Sequence, residues 1–246
     1  MNLSDYLNPL ENNIYILHYQ PLVERKIFMN NQLSKQNINA NYILEHDKED
    51  MKEDEKIIFD YNNKFSLSNS SLILKHIEAY KQIVINNQEF GLILEDDVIL
   101  NNDFNTKYYE YYKQLPDDSD ILFYGNGFKN SMNVPKSIIK KNINVYLKGN
   151  NGIGKWSPEV KDIGWSICSG SSRCSDCYII KNITAQKILN YVDEIKINKK
   201  PKISHPSDLW MNILFRNLEL KVYWSEPSIC TQGTENGMFK SSQKIT

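Results

Sequence analysis

Residues 91–98 read Gly91-Leu92-Ile93-Leu94-Glu95-Asp96-Asp97-Val98. An unbroken apolar run is expected for a strand buried on both faces of a sheet, and this one stops abruptly on three carboxylates. Ligands of open α/β sheets bind just beyond such carboxyl ends. Adjacent carboxylates repel one another unless something offsets the cost. A hard divalent cation, Mg²⁺ or Mn²⁺, does so because it prefers oxygen ligands, and it can hold a diphosphate and neutralise developing charge. Adjacent acids after a strand also mark exposed turns or the first turn of a helix, where negative charge is favourable. The triplet by itself leaves both readings open.

Working outward, strands and helices alternate. Asn13 to His18 reads as a strand, and Pro21 suits the first turn of a helix running to about Gln36, with Leu22, Phe28, Met29 and Leu33 on its apolar face. Asn41 to Glu45 predicts a second short strand. Residues 46–56 are dense in charge and read as a solvated loop or helix rather than a binding feature. Ile73, Ile77, Tyr80 and Val84 recur at helical spacing, predicting a helix from about Asn69 to Asn86 with Ser68 as its N-cap. Past the triplet come a helix around Asn105 to Leu115, a strand Ile121 to Tyr124, a strand Cys177 to Ile180, helices Thr184 to Val192 and Ser207 to Asn217, and a strand Leu220 to Trp224. Such alternation predicts an α/β sandwich with a mostly parallel central sheet. No repeat or linker divides the chain, so residues 1–246 read as one domain. Within it, the glycine-punctuated stretch 125–175 reads as an irregular insertion, which in a domain of this kind is more often functional than filler.

Composition narrows the function. The 29 basic and 30 acidic residues leave a net charge of -1, which gives no support to a nucleic-acid backbone as partner. No run approaches the roughly 20 apolar residues of a membrane span, and the start lacks the basic and apolar regions of a signal peptide; the expected location is cytoplasmic. Four cysteines, Cys168, Cys174, Cys177 and Cys230, are too few for a disulfide scaffold. The Cys174/Cys177 pair could give two thiolates to zinc, but a tetrahedral site needs two more ligands and only Cys168 and distant Cys230 are offered, so ordinary reduced or partly buried thiols are the expectation.

The ordered set of motifs resembles glycosyltransferase family 25, the group of lipooligosaccharide and collagen-type galactosyltransferases. Residues 91–98 are similar to its central acidic signature. Ile14-Tyr15-Ile16-Leu17 with Glu24-Arg25 resembles the opening strand and its acid–arginine pair, Ser71 to His76 the helix before the acidic motif, and Asp120 to Gly125 the strand after it. Asp176 to Lys181 with Ala185 and Leu189, Pro206-Ser207-Asp208-Leu209-Trp210, and Pro227 to Gln232 resemble three later segments, so the likeness spans roughly residues 13–240. His18-Tyr19 and Lys75 depart from the family pattern, which bears on the sugar and acceptor more than on the reaction class.

That resemblance implies a GT-A-like nucleotide-binding sandwich, a UDP-sugar donor, Mn²⁺ (or Mg²⁺) as cofactor, and a glycan, lipid-linked glycan or protein hydroxyl as acceptor. It implies Asp97 as a direct metal ligand and Glu95 as a direct or water-mediated one, with Asp96 facing the ribose or sugar. Leu17 and His18 would lie near the nucleotide base and Arg25 near phosphate, although a salt bridge suits Arg25 equally. Lys75 could reach a phosphate, although a solvated lysine is the default, whereas His76, beside an apolar stripe, suits the core better than a ligand role. The family's inversion requires a general base. Asp208 matches the acidic position at a helix start, with Asp176 in reserve and Trp210 as a sugar platform. Trp156, Trp165 and Trp224 could stack on an acceptor or be buried. Two other classes share the acidic strand end. A two-metal hydrolase would need further paired acids with histidines, and the four histidines here are scattered; a non-catalytic carbohydrate-binding protein could keep the fold.

Overall fold

The computed structural model describes residues 13–61, 65–125, 145–147, 174–225 and 227–240. Its frame is a seven-stranded sheet. Strands β1 (Ile14–Leu17), β2 (Asn41–Ile43), β3 (Phe90–Glu95), β5 (Ile121–Phe123), β6 (Val145–Leu147), β7 (Cys177–Lys181) and β8 (Val222–Ser225) lie in the order β2-β1-β3-β7-β5-β8-β6. β1 pairs parallel with both β2 and β3, and β5 pairs parallel with β8. β7 runs antiparallel between β3 and β5, and β6 antiparallel on β8. Most strands therefore share one direction, as expected, with β7 reversed at the centre. This is the mixed α/β sandwich predicted from the alternation of elements.

Period-two alternation explains the layers. In β1, Tyr15 and Leu17 join one core with Ile93, Tyr178 and Ile180, packed against helices α3 (Leu67–Ile85), α5 (Asn182–Lys196) and α6 (Ser207–Asn217). Ile14 and Ile16 join the opposite core with Leu92, Leu94 and Ile179, under α1 (Val23–Lys35) and α4 (Phe104–Tyr112). Burial on both faces is what the unbroken apolar run of β3 implied. Ile77, 3% exposed, is one of many such side chains, each stabilising the fold by about 1.5–3 kcal/mol. Gly91 allows the tightest helix–sheet approach, since a Cβ there would meet Ile83 Cδ1 at 2.4 Å.

Several boundaries differ from expectation for identifiable reasons. Helix α3 begins at Leu67, capped by Ser66, whose hydroxyl accepts from the Asn69 N–H at 3.2 Å. Ser68 is therefore inside the first turn rather than the cap. Pro21 lies in a turn ahead of α1, whose N-cap is Leu22. Two short strands escape the sequence reading: β4 (Val98–Leu100) and β9 (Cys230–Gln232) form a separate antiparallel ribbon, with Val98 opposite Gln232. Three-residue strands carry too little periodicity to be seen locally. That ribbon brings the segment after Gln232 back onto the end of β3. The charge-dense stretch 46–56 includes helix α2 (Glu53–Lys56) but is not simply solvated. Asp47 is buried, pairing with the buried Lys75 Nζ at 2.7 Å and accepting from the Gln20 N–H at 3.2 Å. No helix among the described residues is long and apolar enough to cross a membrane.

Candidate donor site

β1 and β3 end side by side, with Leu17 opposite Glu95, and the chain then turns through Asp96 and Asp97 into β4. A cleft opens over this edge, with about 710 Å³ of empty space including its mouth open to solvent. Leu17, Tyr19 and Arg25 line one side, Ser68, Ser71, Leu72 and Lys75 of α3 another, and Lys48 belongs to the same wall. Glu95, Asp96 and Asp97 form its floor, closed by Gln232 and Thr234.

The three carboxylates have different surroundings. Asp96 is held from within: His18 Nδ1 lies 2.8 Å from Oδ2, the Tyr19 N–H donates to the same oxygen at 3.2 Å, and Arg25 donates to Oδ1 at 2.8 Å. Arg25 is itself buried. It gives a second donor to the Lys240 carbonyl at 2.7 Å and sits 5.3 Å from the centre of the Phe239 ring. The phosphate role expected for Arg25 thus competes with a committed ion pair, and Asp96 meets arginine and histidine where a ribose was expected.

Asp97 is 2% exposed. Its Oδ2 accepts from both the hydroxyl and the backbone N–H of Thr234, while Oδ1 has no hydrogen-bond partner among the described residues. Its backbone carbonyl accepts from the Gly233 N–H at 2.7 Å, and a Cβ on Gly233 would lie 2.7 Å from that carbonyl oxygen. Glu95 accepts from the Ser175 hydroxyl at 2.6 Å, and Ser175 Oγ lies 2.7 Å from Ser207 Oγ at the start of α6. Burial pushes the Glu95 carboxyl well above its ordinary range, reinforced by the nearby charge of Asp97. Burial also raises Asp97, against the opposing pull of Thr234 and Arg25.

Two carboxylates raised by desolvation, one of them buried with an orphaned oxygen, fit a hard cation. Among the described residues no group of three or more His, Cys, Asp or Glu side chains forms a ready-made metal cage. Mg²⁺-type sites commonly use only one or two carboxylates and complete their shell with phosphate oxygens and water. Glu95 and Asp97 match that donor set.

The other predicted residues fall as follows. Leu17 lines the cleft, whereas His18, 1% exposed, lies beneath it against Asp96. Lys75 is on the cleft wall, but its ammonium is spent on Asp47 and the Leu44 and Glu45 carbonyls. Asp208 is half-buried in the first turn of α6 and does not line the cleft; its Oδ1 accepts from the Leu209 N–H at 2.8 Å, burial raises its carboxyl, and it is its neighbour Ser207 that reaches Glu95 through Ser175. Asp176, buried, donates no side chain to the cleft lining, and its backbone carbonyl accepts from the Glu95 N–H at 2.8 Å. Trp210 and Trp224 are packed into the α3-side core, so neither ring is available as a sugar platform. Trp156, Trp165 and Cys168 lie outside the described residues, as does most of the 125–175 stretch. Cys174 is half-buried, and Cys177 and Cys230 hydrogen-bond each other within the core.

Sequence reading missed Ser175, Thr234 and Lys48, and gave Gln232 no role beyond closing a family-like segment. Thr234 lies 137 residues from the carboxylate it serves, beyond the reach of any local pattern. Thr234→Val is expected to destabilise the protein by about 1–2 kcal/mol, because a buried carboxylate oxygen loses its hydroxyl donor; urea denaturation measures it, and no change would mean the hydroxyl is dispensable. His76, fully buried, has its imidazole pushed down to about 3 by burial. Its contribution to stability is complete above about pH 6.5 and drains away as pH falls toward 3, since only the unfolded chain takes up the proton. His76→Gln should flatten the loss of stability between about pH 7 and pH 5; an unchanged slope would place the acid sensitivity elsewhere.

The family model described as glycosyltransferase family 25 (LPS biosynthesis protein) matches residues 11–211, most of the chain. No curated protein matches it.

Proposed function

Because the chain belongs to glycosyltransferase family 25, we propose that it moves a hexose, glucose or galactose, from a UDP-sugar to a hydroxyl acceptor with inversion at the anomeric carbon. The enzyme is a glycosyltransferase, acting on a sugar donor and an acceptor. What supports the finer reading is the orphaned, buried Asp97 Oδ1 at the floor of a cleft over the ends of β1 and β3.

Glu95 and Asp97 are the residues that would hold Mn²⁺ or Mg²⁺, and the cation would neutralise charge on the departing diphosphate. Leu17 offers an apolar wall to the donor base. Arg25 and His18 keep Asp96 in place, which fixes the turn that presents Asp97. In a single displacement the acceptor oxygen bonds to the anomeric carbon as the bond to the diphosphate breaks, and UDP leaves with the electron pair. The acceptor's proton must then pass to a base. We assign that role to Asp208, which stands at the start of α6 in the position that resembles the family's acidic residue there. The acceptor hydroxyl belongs to a glycan, a lipid-linked glycan or a protein.

Screening UDP-sugars for hydrolysis and for thermal stabilisation, with and without Mn²⁺, tests this reading. UDP-glucose or UDP-galactose should stabilise the protein only with the cation and be slowly hydrolysed. Stabilisation by a different nucleotide sugar would overturn the donor assignment, and equal effects with a chelator would overturn the cation site.

A further inference from the structure

We propose that His76 is a positioning residue for the donor site, aiming an N–H at Glu95 through a one-way hydrogen-bond chain that starts at Tyr80. The assignment rests on reading Glu95 as a donor-site carboxylate. Tyr80 and His76 stand one turn apart on α3, and Tyr178 faces them from β7. The Tyr80 and Tyr178 hydroxyls are 2.7 Å apart, and the Tyr178 hydroxyl is 2.7 Å from His76 Nδ1. All three residues are fully buried. On the far side of the ring, His76 Nε2 has no hydrogen-bond partner among the described residues and lies 3.9 Å from Glu95 Oε1.

Counting donors decides the direction. Each tyrosine has one proton to give, and a neutral imidazole has one N–H and one acceptor nitrogen. If Nδ1 carried the hydrogen, Tyr178 would accept it and donate to Tyr80. The Tyr80 proton would then be stranded in the core, and a bare Nε2 lone pair would face a carboxylate. If Tyr80 donates to Tyr178 and Tyr178 to Nδ1, every hydroxyl proton is used and the remaining N–H is Nε2–H, pointing at Glu95. Leaving a buried donor unmade costs far more than choosing between tautomers. The gap of 3.9 Å is too long for a hydrogen bond as it stands. Hydrogen bonds at such sites commonly tighten when substrate arrives, and a small shift of the Glu95 side chain closes this one. Ser175 addresses the same oxygen. Together they hold Oε1 from the protein side and turn the other oxygen toward the cleft.

Nitrogen NMR of the imidazole in the wild-type protein near neutral pH reads the tautomer directly, and Mn²⁺ binding in the presence of UDP, followed by electron paramagnetic resonance without turnover, reads the site. The wild type should show a neutral His76 protonated on Nε2. Tyr178→Phe keeps the ring but removes the relay hydroxyl. It should mix the tautomers and weaken Mn²⁺ binding about tenfold, as loss of an outer-sphere partner does. Tyr80→Phe should shift the tautomers in the same direction by less. A wild-type His76 protonated on Nδ1 overturns the inference while leaving the donor site intact, and so does wild-type Mn²⁺ affinity in Tyr178→Phe. Failure of the wild type to bind Mn²⁺ with UDP overturns the donor-site reading, and this inference with it.

Discussion

Asp97→Asn is expected to lower sugar transfer and donor hydrolysis by at least about 100-fold, the scale at which preorganised charge stabilisation acts, while the protein stays folded. The side chain keeps its size, and Thr234 can still donate to the remaining oxygen. What disappears is the charge that a cation would grip. The stability of the metal-free variant provides an independent check. Glu95 and Asp97 are both raised by burial, so their favourable contribution belongs to low pH, below the ordinary carboxylate range. It is lost as pH rises through their folded values. As pH rises toward neutral, the metal-free wild type therefore bears a growing penalty for keeping these two acids out of water. The variant should melt no lower than the wild type under those conditions, and it should gain nothing from Mn²⁺ with UDP, where the wild type gains stability by mass action. Substantial turnover by the folded variant would remove Asp97 from the proposed cation site.

Arg25→Met is expected to cost about 3–5 kcal/mol of folding stability, the usual result of removing one partner from a buried ion pair. The methionine retains some of the stem's packing against Phe239, but Asp96 Oδ1 loses its donor and the Lys240 carbonyl loses another. The 227–240 segment is anchored on one side by the β4–β9 ribbon and on the other by this arginine, so protease cleavage near its end should accelerate. Adding Asp96→Asn to Arg25→Met should recover part of the loss, because the stranded charge goes with it. A loss below about 1 kcal/mol would mean the pair behaves like a solvated surface bridge.

These two sites show what local sequence could and could not disclose. The alternation of elements, the doubly buried β3 and the apolar stripe of α3 were legible because periodicity is a local property and burial follows it. Ser207–Asn217 even matched its expected helix limits. Leu17, Glu95 and Asp97 could be anticipated at one strand edge, because parallel neighbours put their carboxyl ends together. The reversal of β7 left no comparable trace, since an antiparallel strand buried on both faces reads like a parallel one.

The amino-acid sequence by itself determined the α/β class, the position of the acidic strand end and the family. These follow from short-range pattern and from motifs in order. Only the tertiary structure decided which carboxylate carries an uncompensated oxygen. Asp96 is neutralised by an arginine 71 residues away, and Asp97 is half-satisfied by a threonine 137 residues away. Asp47 and Lys75, which look like solvated charges when read along the chain, become one buried pair whose lysine lines the cleft. The physical reason is the same in each case. A charge's environment is set by groups that folding brings within a few ångströms, and their separation along the chain places no limit on that approach.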